Sequence, residues 1–313
     1  MDLSFFLEVL LGGLLAGVMY SLVALGFVLI YKASGVFNFA QGAMVFFAAL
    51  TFVQLTKIFG MPMWLAFPVT LVVMVLFGIA TEKVVLRPLV NQPPITLFMA
   101  TIGLTFFLEG FSQLVWGSQP HGLELGIPDV PMEWLSQSSG INISQFDLFA
   151  AVVAGVLVAV LALFFQYTRI GRALRAVADD HQAALAVGIP LKHIWAIVWS
   201  VAGFVALVAG LMWGARNGVG YSLTFIALKA LPVLILGGFE SIPGAIIGGL
   251  IVGASEKLAE VYLPPMLNAP LTEFFGGTVN LQGIESWFAY VVALLFLLVR
   301  PQGLFGEKII DRV

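Results

Sequence analysis

Side chains able to do acid–base, nucleophilic or metal chemistry are few in this 313-residue chain. The three histidines, His121, His181 and His193, fall in or beside polar stretches. Cysteine is absent, which removes disulfides, thiolate nucleophiles and cysteine metal sites. There is no G-x-S-x-G elbow, no H-E-x-x-H and no P-loop. No aspartate sits in the middle of an apolar run, and Asp147 stands only at the entrance of one. An intramembrane protease of the Ser/His or di-aspartyl type is therefore not expected, nor any other enzyme. No metal or organic cofactor is implied, and any ATP-driven work must be done by another chain.

The polar stretch that stands out is RIGRALRAVADDHQAALAVGIPLKH, Arg169 to His193. Its first half is basic (Arg169, Arg172, Arg175, with Gly171 between), and a paired acid, Asp179 and Asp180, follows. Gln182, Ala183 and Ala184 continue with strong helix formers, and Gly188 with Pro190 mark a stop. Arg175 and Asp179, four apart, can bridge on one helix face, although exposed pairs of that kind are weak. Two readings fit: a short helix outside the bilayer that is available to a partner, or a solvated connecting loop.

The elements around this stretch are apolar. The chain is 60% hydrophobic and 10% charged, against about 25% charged residues in ordinary soluble domains. Apolar segments of about 20 residues recur, as transmembrane helices require, and they are too continuously apolar for barrel strands. The expected class is all-α, a polytopic transmembrane helical bundle. Spans are read at roughly 8–31, 36–58, 62–86, 93–116, 147–168, 193–215, 222–239, 241–262 and 285–300. The tight GGFESIPGAIIGG connection and the polar opening GVFNFAQGA point to re-entrant or broken segments, so eight to ten crossings are compatible with the pattern. The N-terminal MDLSFFLEVLLGG has no Lys or Arg before Lys32, unlike a signal peptide, so the first helix is expected to stay.

Lys and Arg set the orientation. None occurs between Arg87 and Arg169, nor in 263–284. The loops 117–146 and 263–284 are therefore expected outside. Lys32, Lys83, Arg87, the 169–192 loop and the tail with Arg300, Lys308 and Arg312 are expected inside. The whole of 1–313 reads as one transmembrane domain in contact with lipid. The net charge of −3, with no basic patch beyond the loops, points to no nucleic-acid partner.

Few ionisable groups fall within spans. Glu109, about two-thirds along its helix, reads either as part of a path or outer gate or as an interfacial contact. Lys229 is expected to pair with an acid of the next segment, among Glu240, Glu256 and Glu260. Asn38 and Gln41, beside Gly42 at a helix start, can contact a polar substrate or simply cap the helix. Thr101 and Gln113 complete the candidate path set. Gly13–Gly17 and Gly249–Gly253 have the small-xxx-small spacing of close helix packing. A faint internal repeat relates Ser21–Gly26, Lys32 and Gly35–Gly42 to Ser222–Leu228, Lys229 and Gly237–Gly249.

Several of these pieces together resemble LivH-type permeases of branched-chain amino acid ABC transporters. They are LGFVLIYKASGVFNFAQGAMVFFAA, ATIGLTFFLEG, GRALRAVADDHQAALAVGI, LKALPVLILGGFESIPGAIIGGLIVG and LLFLLVRPQGLFGE, in order from about Leu10 to Glu307. The resemblance implies a bacterial inner-membrane importer subunit. Its implied partners are two cytoplasmic ATPase subunits, a second related permease and a periplasmic solute-binding protein. Such permeases dock a short cytoplasmic helix on the ATPase, marked E-A-A-x-x-x-G. Gln182-Ala183-Ala184 and Gly188 keep that spacing with Gln for Glu, whereas the further I-x-L-P is replaced by Val198-Trp199-Ser200-Val201. Urea and short-chain amide permeases look similar, and a stand-alone carrier or channel is the rival from another class.

Overall fold

The structure, a computed structural model, describes residues 3–89, 92–179, 181–276, 281 and 283–306, without the side chains of residues 179, 181, 182, 275 and 286. Asp180, Lys308 and Arg312 thus lie outside the described residues.

Helices dominate. They are α1 (Leu3–Ser34), α2 (Gln41–Lys57), α3 (Met63–Ala80), α4 (Pro94–Trp116), α5 (Glu133–Ser139) and α6 (Gln145–Tyr167). After these come α7 (Arg169–Asp179), α8 (His181–Ala186), α9 (Leu191–Asn217), α10 (Ile226–Gly237), α11 (Ile242–Phe275) and α12 (Ile284–Val299). A π-helical turn, Thr81–Leu86, extends α3, and a 3-10 turn, Tyr221–Phe225, precedes α10.

Among the described residues six helices are long and apolar enough to cross a membrane: α1, α3 with its extension, α4, α6, α9 and α11. Each of the nine expected segments coincides with a helix, but three fall short of a full crossing. The 17 residues of α2 are almost wholly buried, so this helix is enclosed by protein. The 12 residues of α10 rise about 18 Å, against about 30 Å of hydrocarbon. The apolar part of α12, Trp287–Val299, is likewise short.

One expectation about a loop needs correction. The 263–284 segment, expected as an external loop between spans, is largely helical: α11 runs through Pro264, Pro265 and Pro270 to Phe275. Proline removes one helical hydrogen bond and crowds the preceding turn. Much of this stretch is exposed, so the freed carbonyls can reach water or neighbours and the helix persists. In the 169–192 segment the described residues are helical over Arg169–Asp179 (α7) and His181–Ala186 (α8).

The chain forms two compact units. Unit 1 comprises Met1–Ser21, Gly126–Val156 and Lys229–Val313. There the glycine pairs act as their spacing predicts. A Cβ on Gly13 would lie 2.7 Å from the Gly253 carbonyl oxygen, and one on Gly17 would lie 2.5 Å from that of Gly249. Only bare backbone lets α1 and α11 approach this closely. Gly248 does the same for α11 against α10, 2.5 Å from the Val233 carbonyl. The tail after α12 returns to the end of α10, where the N–H groups of Leu304 and Phe305 donate to the carbonyls of Leu236 and Gly237 at 2.7 and 3.2 Å. A helix C-terminus leaves carbonyls without intrahelical partners, and the tail satisfies two of them.

Unit 2 comprises Leu22–Leu125 and Leu157–Leu228, with α2 at its centre among α9, α4, α3 and the 3-10 turn. Gly210 of α9 and Gly78 of α3 provide its close approaches, to the Val45 carbonyl and the Ser200 nitrogen.

Further contacts tie distant segments together inside each unit. In unit 1 Glu8 accepts from the Asn142 backbone at 2.9 Å, and in unit 2 His121 exchanges backbone hydrogen bonds with Val219 while the Trp195 indole donates to the Ala33 carbonyl at 3.0 Å.

Candidate functional site

The basic half of the 169–193 stretch is built to hold a corner. Thr168 caps α7, its hydroxyl accepting from Gly171 N at 3.1 Å. A side-chain carbon at Gly171 would collide with the Phe165 carbonyl, so glycine is what allows α7 to fold back against the end of α6. Arg175 then donates to the carbonyls of Phe165 (2.7 Å) and Gln166 (3.2 Å), and Arg172 to that of Tyr167 (3.3 Å). These are the last-turn carbonyls of α6, where cations are favoured by both hydrogen bonding and the helix dipole. Arg175 thus clamps the backbone at the end of α6, and the Arg175–Asp179 bridge that the spacing allows involves a side chain outside the described residues. Arg169 is exposed.

Leu174 and Val177 bury the inner face of α7. Beyond it, α8 buries Ala184, whereas Leu185 and, in the turn just past the helix, Val187 are 52% and 75% exposed. Gly188 ends α8 with φ +86°, and Ile189 N bonds back to the Ala184 carbonyl at 2.9 Å. This is a glycine-terminated helix end, and it explains why a glycine stands at that position of the spacing motif. The side chains of Asp179 and Gln182 lie outside the described residues.

The second cluster surrounds the break between α1 and α2. Gly35, at φ +67°, stops α1. Asn38 and Gln41 are fully buried in the turn that follows. Asn38 Oδ1 accepts from Ala40 N at 3.1 Å, and Asn38 Nδ2 donates to Gln41 Oε1 at 3.3 Å. Gln41 Nε2 has no partner among the described residues. It lies against Gly26, where any side chain would strike it. Thr101 accepts from Phe39 N at 3.1 Å and thereby ties α4 to the break. Gly42 seats α2 against the 3-10 turn, since a Cβ there would strike the Thr224 carbonyl.

From Thr101 a polar row continues along the buried face of α4, through Thr105 and Glu109 to Ser112. The hydroxyls bond to carbonyls of their own helix, at Phe98, Thr101 and Leu108, and Glu109 is buried in the same row. Gln113, one residue beyond the row, is exposed. Near the other end of α2, Gln54 Nε2 lies 3.2 Å from both the Trp116 carbonyl and His121 Nε2. Gln54 escaped the sequence reading and His121 was noted only as a histidine of a polar stretch, although a glutamine inside an otherwise apolar helix is itself a flag for a polar function. In unit 1, Lys229 pairs with Glu256 at 2.8 Å, as expected, and Tyr20 also donates to that carboxylate, at 3.1 Å.

The described residues form membrane-length helices that bury polar rows, and the comparisons with known proteins define the class. Residues 9–300 match the family described as branched-chain amino acid transport system / permease component, and the chain belongs to that family. It is 29% identical to the high-affinity branched-chain amino acid transport system permease protein BraD of Pseudomonas aeruginosa, covering 100% of this chain and 99% of the relative. It is 28% identical to LivH, of the same description, from Escherichia coli strain K12, over 99% and 98% of the two chains. The probable branched-chain amino acid transport permease protein LivH of Methanocaldococcus jannaschii is also 28% identical, over 95% and 92%. The chain is a multi-pass inner-membrane protein and a permease component.

Proposed function

We propose that this chain is the transmembrane subunit of an ATP-driven importer for branched-chain amino acids. Substrate arrives from an external solute-binding protein at the outer segments, 117–146 and 263–284. Two cytoplasmic ATPase subunits drive the cycle, and a second, related permease completes the membrane part. The full-length similarity to permeases named for branched-chain amino acids favours that substrate over urea and short-chain amides.

The observation that carries the coupling role is the exposed apolar tip of α8. Leu185 and Val187 project from a segment expected in the cytoplasm, where no lipid covers them. A cleft of the ATPase that receives this tip can push α8 and α7. The clamp of Arg172 and Arg175 then passes the displacement to the end of α6. Asn38, Gln41, Thr101 and Glu109 are the proposed polar contacts for the passing zwitterion, with Gly42 shaping the α2 start and Gln113 at the outer edge. A substrate carrying both charges at one end needs hydrogen-bonding groups and an interrupted helix more than fixed charges.

Proteoliposomes containing the full assembly, given binding protein and labelled leucine or urea, test this. Leucine uptake that disappears without the ATPases is expected. Urea uptake would replace the substrate, and flux through this chain alone would overturn the importer reading.

A further inference from the structure

Away from both clusters, α3 and α4 enclose a groove of about 480 Å³, within the roughly 300–1,000 Å³ range of small-molecule sites. Phe77, Ala80, Thr81, Val84, Gly103 and Phe107 contribute to its wall, and Thr81 is the one polar residue there. A trapped water needs two to four polar partners, so this wall does not hold water well. The groove opens on the lipid-facing side, where Val84 is 70% and Phe107 59% exposed. Its α3 wall includes the start of the π-helical turn, a local widening that tends to mark functional positions. That turn is held by Glu82 and Arg87, five residues apart like the π-helical hydrogen bond. The guanidinium bonds both carboxylate oxygens, at 2.7 and 3.1 Å.

The charge around the groove selects an occupant. Lys83, beside Val84, is exposed, and Arg87 lies about one turn further on with its side chain 47% exposed. Both sit at the end of α3 that the Lys and Arg distribution places in the cytoplasm. Basic residues at that depth attract anionic headgroups. A second helix is disfavoured as the occupant. Phe106, Phe107, Phe111 and Leu114 stand out from the exposed face of α4, whereas close helix pairs need small residues there.

We infer that the α3–α4 groove binds one acyl chain of an anionic phospholipid of the cytoplasmic leaflet, with its phosphate at Lys83 and Arg87. The inference rests on the orientation and not on the transported substrate, so failure of leucine uptake leaves it standing. The chain enters beside Gly103, and the headgroup stays at the interface with the two basic side chains.

The test is native mass spectrometry of the full-length protein extracted from vesicles of phosphatidylethanolamine and phosphatidylglycerol. Gly103→Leu is the main variant, because a Cβ there meets nothing within 4 Å and leucine is the better helix former. Its side chain fills the groove without backbone collision, and Val84→Phe fills it from the opposite wall. The wild type should retain phosphatidylglycerol in preference to phosphatidylethanolamine, and both filled variants should lose at least tenfold of that retention. Lys83→Gln should reduce the preference by about fivefold, the factor for one basic side chain near an anionic surface. Unchanged retention in both filled variants would overturn the site, and equal retention of the two lipids by the wild type would overturn the anionic selection. If Gly103→Leu instead releases the second permease subunit while lipid retention is unchanged, the groove is a protein interface and the inference fails.

Discussion

The ion pair between α10 and α11 makes a quantitative prediction. Lys229→Met removes a cation 2.8 Å from Glu256 Oε1, on a carboxylate whose side chain is only 9% exposed. Orphaning a buried charge costs about 3–5 kcal/mol. Two features of this site lower that figure. The Lys229 side chain is 35% exposed, so water already screens the pair. The Tyr20 hydroxyl still donates to the carboxylate, and a hydrogen bond to a charged group contributes about 1.5–3 kcal/mol. A net loss of about 2 kcal/mol is expected for Lys229→Met. Glu256→Gln keeps an acceptor for Tyr20 and leaves a lysine that can extend toward water, for about 1 kcal/mol. The double variant has no unpaired charge and should lie within about 1 kcal/mol of wild type, less destabilised than Lys229→Met alone. The coupling from this cycle, the summed single losses of about 3 less a double-variant loss of at most about 1, should therefore be at least about 2 kcal/mol. Reversible unfolding in mixed micelles, followed by tryptophan fluorescence, measures all four proteins. If the two single losses simply add, the pair carries no buried interaction and the reasoning is wrong.

Three further outcomes are expected. Leu185→Asp with Val187→Asp should leave insertion intact while abolishing co-purification of the ATPase subunits and uptake; retained ATPase would move the docking surface elsewhere. Gly188→Val places a β-branched residue at φ +86°, at about 1–2 kcal/mol of local strain, and should uncouple ATP hydrolysis from uptake in a protein that still inserts; normal uptake would count against the role of α8. Gly17→Leu drives a side chain into the Gly249 backbone, so overpacking of at least about 1–3 kcal/mol should sharply lower the yield of folded protein in a fluorescence-monitored expression test.

What could be read without coordinates depended on how local the signal was. The apolar runs located the long helices but not α5, which lies in the polar 117–146 stretch, and the spacing of Gly13, Gly17, Gly249 and Gly253 foretold a bare-backbone interface, because small-residue periodicity survives in one dimension. Lys229 found its acid for a related reason: a tight turn brings Glu256 within reach. Range defeated the rest. The partners that Arg172 and Arg175 show among the described residues are backbone carbonyls, which carry no sequence signature. Gly26 gives no hint that it accommodates Gln41, and Gln54 is joined to His121 only through the fold. Prolines 264, 265 and 270 signal a break by every local rule, yet α11 continues through them.

The backbone pairing of Leu304 and Phe305 with the end of α10 has a consequence for biosynthesis. When Leu236 and Gly237 are added to the growing chain, the segment that satisfies their carbonyls is still about 70 residues from being made, roughly 4 to 14 seconds away at 5–20 residues per second. During that interval the half-length α10 must wait, lined up with α11 but unfinished. Completion of this part of the molecule is therefore a late event in translation. A nascent chain that stalls before residue 304 presents an open helix end, a difference that quality-control proteases in the membrane can act on.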